Sequence, residues 1–181
     1  MVMDSYLHYK FVISISLLSL ILSTFCCRNW DNFHHKFKKH QAKKIYKKLS
    51  KISNNNEMWM LSYLRKIDPF VFEELILYSF KKMGCKVYYN KRYTGDGGID
   101  GKVKIDGRIW LIQDKRYTGY INNEHLQKFN ELCVNRHQKG LFIHTGKTGA
   151  GVQNVQKLYP CIKIISGKNL ITLIQGKYNI S

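Results

Sequence analysis

A chain of 181 residues with 44% hydrophobic content has room for one modest domain with extensions, not for several domains. Its 30 Lys and Arg against 12 Asp and Glu give a net charge of +18, which points to a polyanionic partner, either a nucleic acid or an anionic membrane surface. A coding bias of an AT-rich genome towards Lys, Asn, Ile and Tyr would raise the same figure. Five cysteines (Cys26, Cys27, Cys85, Cys133, Cys161) include no C-x-x-C pair, which argues against a zinc site. The last three sit in apolar runs and read as buried thiols of a reducing compartment.

The chain opens with an uncharged stretch at residues 11–27, FVISISLLSLILSTFCC. It is slightly short of the roughly 20 residues a spanning helix needs. Tyr6, Leu7 and Tyr9 extend it, and Lys10 can snorkel outward. A cleaved signal peptide and a buried soluble helix are the competing readings; no Ala-x-Ala site follows the stretch. Residues 1–27 are therefore expected to form an N-terminal transmembrane helix that anchors the chain in a membrane. Lys10 alone precedes the span, whereas Arg28 and eight lysines from Lys36 to Lys51 follow it. Positive flanks stay inside, so a single-pass protein with its main domain in the cytoplasm is expected.

Residues 28–66 read as a basic helical linker. Ala42, Ile45, Tyr46, Leu49 and Ile52 recur at helical spacing. Three uses are open for this stretch: lying on anionic lipid, contacting DNA phosphates, or packing its apolar stripe on the main domain. Ser53–Asn56 is the expected hinge, and Met58–Leu64 a short helix docking on the domain.

The main domain is expected over residues 67–181. Asp68-Pro69 is a helix start, with Asp as N-cap and Pro at the first position. The helix should run to about Met83 and stop at Gly84. Its Glu73 shares a face with Ile76, Leu77 and Phe80, whereas Glu74 shares one with Tyr78 and Lys81. An unpaired carboxylate on an apolar face costs several kcal/mol, so Glu73 calls for a metal or a lysine, unless it lies at the solvent edge of the stripe. Cys85–Tyr93 reads as a strand and Thr94–Gly98 as a glycine-rich loop, in which Asp96 is a turn residue.

Two strand-like runs then flank Asp106-Gly107, a pair that favours a type I′ hairpin turn. In that register Ile105 opposes Arg108, Val103 opposes Trp110, and Asp100 opposes Gln113. Strand alternation then puts Asp100, Gln113 and Lys115 on one face, a carboxylate, an amide oxygen and an ammonium able to hold a divalent metal against a phosphate. A bulge would break this register. Lys102 and Lys104 share that face and are candidates for DNA phosphate contact. Asp114 points the other way and reads as structural. Helix Asn122–Arg136 follows, with His125 as a surface residue. After it come strand Gly140–His144, a turn at Thr145–Gly151, a helix from about Ala150 to Leu158, strand Cys161–Ile165 and a closing helix Leu170–Ile174. This order suits an α/β fold with a mixed sheet flanked by helices. Gly146-Lys147-Thr148 fails the phosphate-loop spacing by one residue; Lys147 and Arg116 remain candidates for DNA contact.

These motifs together resemble the PD-(D/E)xK nucleases in their Gln-x-Lys form, and more narrowly the Mrr-like, type IV restriction endonucleases. The matching residues are Phe72-Glu73, Met83 to Val87, Gly95 to Asp100, Gln113 to Tyr117 and Gly140 to Gly146, within about Asp68 to Gly176. The resemblance implies a restriction-endonuclease-like fold and metal-dependent hydrolysis of DNA phosphodiesters. It implies Mg²⁺ or Mn²⁺ on Asp100, Gln113 and Glu73, with Lys115 orienting water or offsetting charge in the transition state. DNA is the expected partner, with a second copy of the chain, as a homodimer, another candidate. Defence against foreign or modified DNA is the role implied. Gln at 113 removes a negative charge and should weaken metal binding. A non-catalytic DNA-binding module on the same fold is the alternative reading, and a membrane-associated protein whose charge meets only lipid is a third.

Overall fold

The computed structural model describes residues 16–17, 19–20, 33–52, 56–90, 97–149 and 157–179. The chain divides into two compact units, Met1–Phe37 and Lys38–Ser181. In the first, residues 16–17, 19–20 and 33–37 are helical. Most of residues 11–27 lies outside the described residues, as do Asp96, residues 53–55 of the expected hinge and most of the 150–158 helix. Among the described residues no helix is long and apolar enough to cross a membrane.

The second unit holds helices α1 (residues 38–49), α2 (Glu57–Lys66) and α3 (Pro69–Lys82). Strands β1 (Lys86–Tyr89), β2 (Gly101–Ile105) and β3 (Arg108–Lys115) follow, then α4 (Asn123–Asn135), β4 (Lys139–His144), β5 (Ile162–Ser166) and α5 (Gly167–Ile174). The five strands form one mixed sheet in sequence order. β1, β2 and β3 pair antiparallel, and the two-residue turn at Asp106-Gly107 joins β2 to β3. β3, β4 and β5 are parallel, and α4 supplies the crossover from β3 to β4. This is the expected α/β architecture with a mixed sheet flanked by helices.

Local chemistry explains the boundaries. The Asp68 side chain accepts the Val71 N–H at 3.1 Å, capping α3 behind Pro69. Gly84 ends that region with φ of +85°. The hairpin turns at Asp106 (φ 47°) and Gly107 (φ 77°), and two positive φ values in succession are what a type I′ turn requires.

The sheet separates two apolar clusters. One joins Val103, Ile105 and Ile112 of the sheet to Phe72, Leu75, Ile76 and Phe80 of α3 and to Leu170, Leu173 and Ile174 of α5. The other joins Leu111 and Phe142 to Leu126, Phe129 and Cys133 of α4. Gly140 permits that second contact: a methyl group there would lie 2.5 Å from Cys133 Sγ and 2.7 Å from the Phe129 ring.

The stretch before α3 belongs to this core. Ala42, Leu49, Met60 and Leu64 are all at least 99% buried, and Ile45, Tyr46 and Ile52 pack beside them. Of the three uses open for the basic stretch, its apolar stripe takes the third, packing on the domain. The compact unit starts at Lys38 and takes in most of residues 28–66, the segment expected to be a linker. Polar ties reinforce the packing: Lys38 Nζ meets Asp68 Oδ2 at 2.8 Å, and Gln175 Nε2 donates to the Ile52 carbonyl at 3.0 Å.

Candidate active site

β2 and β3 follow the expected register for five pairs, from Ile105↔Arg108 to Gly101↔Ile112. The ladder stops there, and the expected Asp100–Gln113 pair does not continue it. Instead the Asp100 N–H donates to the Ile112 carbonyl at 2.8 Å, one residue out of step. This bulge-like step re-aims Asp100. Its Oδ2 accepts the backbone N–H of Asp114 at 2.7 Å, which fixes the carboxylate against β3. Unbroken alternation along two paired strands puts Asp100 opposite Gln113; the step at Asp100 is what alternation alone does not show.

Gln113 is buried at the end of β3. Its Nε2 donates to the Gly98 carbonyl at 2.7 Å. Gly98 makes this possible, since its φ is +86° and a Cβ there would sit 2.7 Å from Gln113 Nε2. With the amide nitrogen committed, Oε1 is left buried with no hydrogen-bond partner. An oxygen held in this way is an acceptor awaiting a cation or a donor.

Three carboxyl groups influence one another here. Burial, then the charges of Asp100 and Glu74, push Glu73 up to about 8, against the pull of Lys115. Burial pushes Asp100 up to about 6, opposed by the Asp114 N–H and by Lys115. Burial, then Asp100 and Glu73, hold Asp114 well above the carboxylate range, with Lys115 and Arg116 opposing. Lys115 is thus the cation common to all three, and Glu73, Asp100, Asp114 and Lys115 form one electrostatic cluster. Among the described residues no group of three His, Cys, Asp or Glu side chains forms a metal-ligating cluster. The oxygen donors a hard cation would need are present in the Asp100 and Glu73 carboxylates and the orphaned Gln113 oxygen.

Asp114, expected to be structural, is drawn into the site by its backbone bond to Asp100 and by burial beside the other carboxyl groups. Glu74 is 3% exposed, whereas Glu73 is half-buried. The reason is α1: Glu74 lines a 220 Å³ cavity with Lys39, Lys43, Tyr78, Lys81 and Tyr89, so the face expected to be polar is covered.

His144 is the residue that spacing did not single out for a role. It ends β4 in register with Lys115 and is fully buried. Burial pushes the imidazole down to about 4, against a backbone hydrogen bond at Gly146 that raises it. Its place at the end of an apolar strand run, before Thr145-Gly146, was the available signal. His125, expected at the surface, is part-buried with Nδ1 2.5 Å from the Tyr117 hydroxyl.

The expected DNA contacts differ in setting. Arg116 donates to the carbonyls of Arg65 and Ile67, so its guanidinium secures the end of α2. Arg65 in turn grips the Thr145 carbonyl through Nε at 3.0 Å and Nη2 at 2.7 Å. Lys147 Nζ lies 5.9 Å from the ring of exposed Tyr120. Lys102 and Lys104 alternate with buried Val103, and Lys104 is exposed.

The charges give a test independent of activity. A carboxyl raised from 4.5 to about 8 stabilises the fold below pH 4.5, and that contribution is lost as pH rises through 8. Glu73→Gln keeps the shape and cannot ionise. In chelator, its melting temperature relative to the wild type should therefore rise steadily from pH 5 to pH 8. Equal pH dependence of the two proteins would show that Glu73 is not held protonated by burial. Titrations that do not interact with Glu73, His144 included, cancel in the difference, so the change reports Glu73 together with the Asp100 and Asp114 carboxyls coupled to it.

An α/β core with a five-stranded mixed sheet, and half-buried Asp100 and Lys115 with buried Gln113 and Asp114 at the end of its central strand, fit a restriction-endonuclease-like protein. The restriction endonuclease family Mrr_cat matches residues 64–174, and the chain belongs to that family. It is also 25% identical over 132 residues to the type IV methyl-directed restriction enzyme EcoKMrr of Escherichia coli. That match covers 67% of this chain and 43% of the relative, so the chain spans less than half of the relative's length. No solved structure matches.

Proposed function

We propose that the chain is a metal-dependent DNA endonuclease whose centre comprises Glu73, Asp100, Gln113 and Lys115. The observation that carries this reading is the cluster of Glu73, Asp100 and Asp114 that Lys115 serves, with the buried, unpartnered Oε1 of Gln113 on the same strand as Asp114 and Lys115. Asp100, Gln113 and Glu73 would hold Mg²⁺ or Mn²⁺. A divalent ion bound there supplies Lewis-acid polarisation of the scissile phosphate and lowers the pKa of water. The protein's own groups do the rest. The Asp114 N–H and the Gly98 carbonyl fix Asp100 and Gln113 in place, so little reorganisation is needed. Lys115 places a positive charge where negative charge gathers on phosphate oxygens. Glu73, held near 8, releases its proton as a cation approaches, which couples loading of the site to pH.

One such centre cuts one strand. Cleavage of both strands would call for a homodimer, whereas a monomer would leave nicked circles. The name of the E. coli relative makes methylated DNA the first modified substrate to try; a role in defence against foreign DNA follows from that reading. Incubation of the full chain with supercoiled plasmid, methylated and unmethylated, in Mg²⁺ or Mn²⁺ and in chelator, tests the proposal. Nicked or linear product only with the ion supports it. Binding without any cleavage in either ion would favour the non-catalytic module, a reading that the amide at 113 in place of a carboxylate also supports.

Attachment to a membrane through residues 11–27, with the nuclease unit in the cytoplasm, belongs to the same proposal and rests on the uncharged run and its lysine flank. Deleting residues 1–27 should then move the protein from the membrane to the soluble fraction; continued sedimentation with membranes would contradict the anchor.

A further inference from the structure

α1 and the second half of α3 enclose a groove of about 530 Å³ lined by Lys43, Lys44, Lys47, Lys81, Lys82 and Tyr78. All five lysines are exposed. Among the described residues none of them forms a salt bridge; those present are Lys38–Asp68 and Lys128–Glu124. Five ammonium groups around one concavity repel each other, and a chain of phosphates would neutralise them. The Tyr78 ring, 5.6 Å from Lys82 Nζ and edge-on to Tyr46 at 5.1 Å, gives the groove a firm floor.

We infer that this groove is a second phosphate-binding site, which holds the backbone of double-stranded DNA away from the cutting centre. Two observations choose DNA over a lipid surface. A helix that binds membranes inserts its apolar face, but the apolar face of α1 is spent in the core, with Ala42 and Leu49 buried. The lysines also line a concavity, which suits a strand better than a plane of headgroups. The contact is sequence-independent, since phosphates are alike along the duplex. Lys43, Lys44 and Lys47 of α1 lie before residue 64, where the family match begins, whereas Tyr78, Lys81 and Lys82 lie within it.

The inference rests on DNA being the substrate, and the test separates the two ideas. Full-length protein and its Lys43→Gln/Lys47→Gln/Lys82→Gln variant are titrated in chelator against a labelled duplex over a range of salt. The same proteins are titrated against phosphatidylserine vesicles. Glutamine keeps helix propensity at these exposed positions, and an unchanged melting temperature confirms folding. The variant should lose roughly tenfold or more in duplex affinity, and its log–log salt slope should shrink by about 2–3. Cleavage at saturating DNA should keep its rate. Unchanged duplex affinity and slope would overturn the inference, as would a loss confined to vesicles. A wild type that binds duplex with the steep slope yet never cuts would sink the catalytic reading and leave the groove standing. A wild type with no duplex affinity would sink both.

Discussion

Asp100→Asn should lower DNA cleavage by roughly 10³-fold while leaving the fold and DNA affinity intact. The amide keeps an oxygen to accept the Asp114 N–H, so the 2.7 Å bond that fixes the position survives. Asp100→Ala would instead leave that N–H unpaired, at about 1–3 kcal/mol, and confuse catalysis with stability. In chelator the Asn variant should bind duplex as tightly as the wild type or more tightly, because a negative charge facing phosphate has gone. Lys115→Ala should lose about 10²–10³-fold in rate by removing the charge that offsets the transition state. It should also move Glu73 and Asp100 further up, because Lys115 pulls both down. Plasmid nicking, with duplex binding measured on the same preparations, checks both. Cleavage at the wild-type rate by either variant would remove its residue from the centre.

A chain beginning at residue 64, the first residue of the family match, should fail to fold, whereas one beginning at Lys38 should fold. The shorter chain loses Leu49 and Met60, each fully buried and each contributing about 1.5–3 kcal/mol. It loses Ala42 and the Ile52 carbonyl bonded to Gln175 as well. Against a net stability of about 5–15 kcal/mol, with the apolar partners on α3 and α5 newly exposed, the balance tips to unfolding. Thermal melts and near-ultraviolet circular dichroism compare the two. A cooperative transition in the residue-64 chain would show that α1 and α2 are accessories.

Much of this was legible in the sequence, for local reasons. Asp68-Pro69 and Gly84 bracketed α3, and Asp106-Gly107 located the hairpin, because caps and tight turns depend on a few neighbouring residues. The gathering of Asp100, Gln113 and Lys115 near the end of β3 was readable from the turn, yet its detail was not. Pairing by a fixed sum assumes an unbroken ladder, and the step at Asp100 depends on how Ile112 is shared. Asp114 read as structural from alternation, which describes its side chain; that its backbone N–H is what holds Asp100 is a detail alternation does not reach. The burial of Glu74 was hidden because α1 covers it from a segment expected to be a linker, and long-range packing leaves little trace in local periodicity. Arg116 looked free to meet DNA; that it secures the α2 carbonyls is again a contact across some 50 positions of chain.

The most direct measurement is a Mn²⁺ titration of the purified full chain, followed by electron paramagnetic resonance, beside Asp100→Asn and Gln113→Glu. One ion should bind the wild type, bind Gln113→Glu more tightly through the added negative charge, and bind Asp100→Asn far more weakly. Equal binding by all three proteins would mean that no cation sits between residues 100 and 113, and the proposed centre would be wrong.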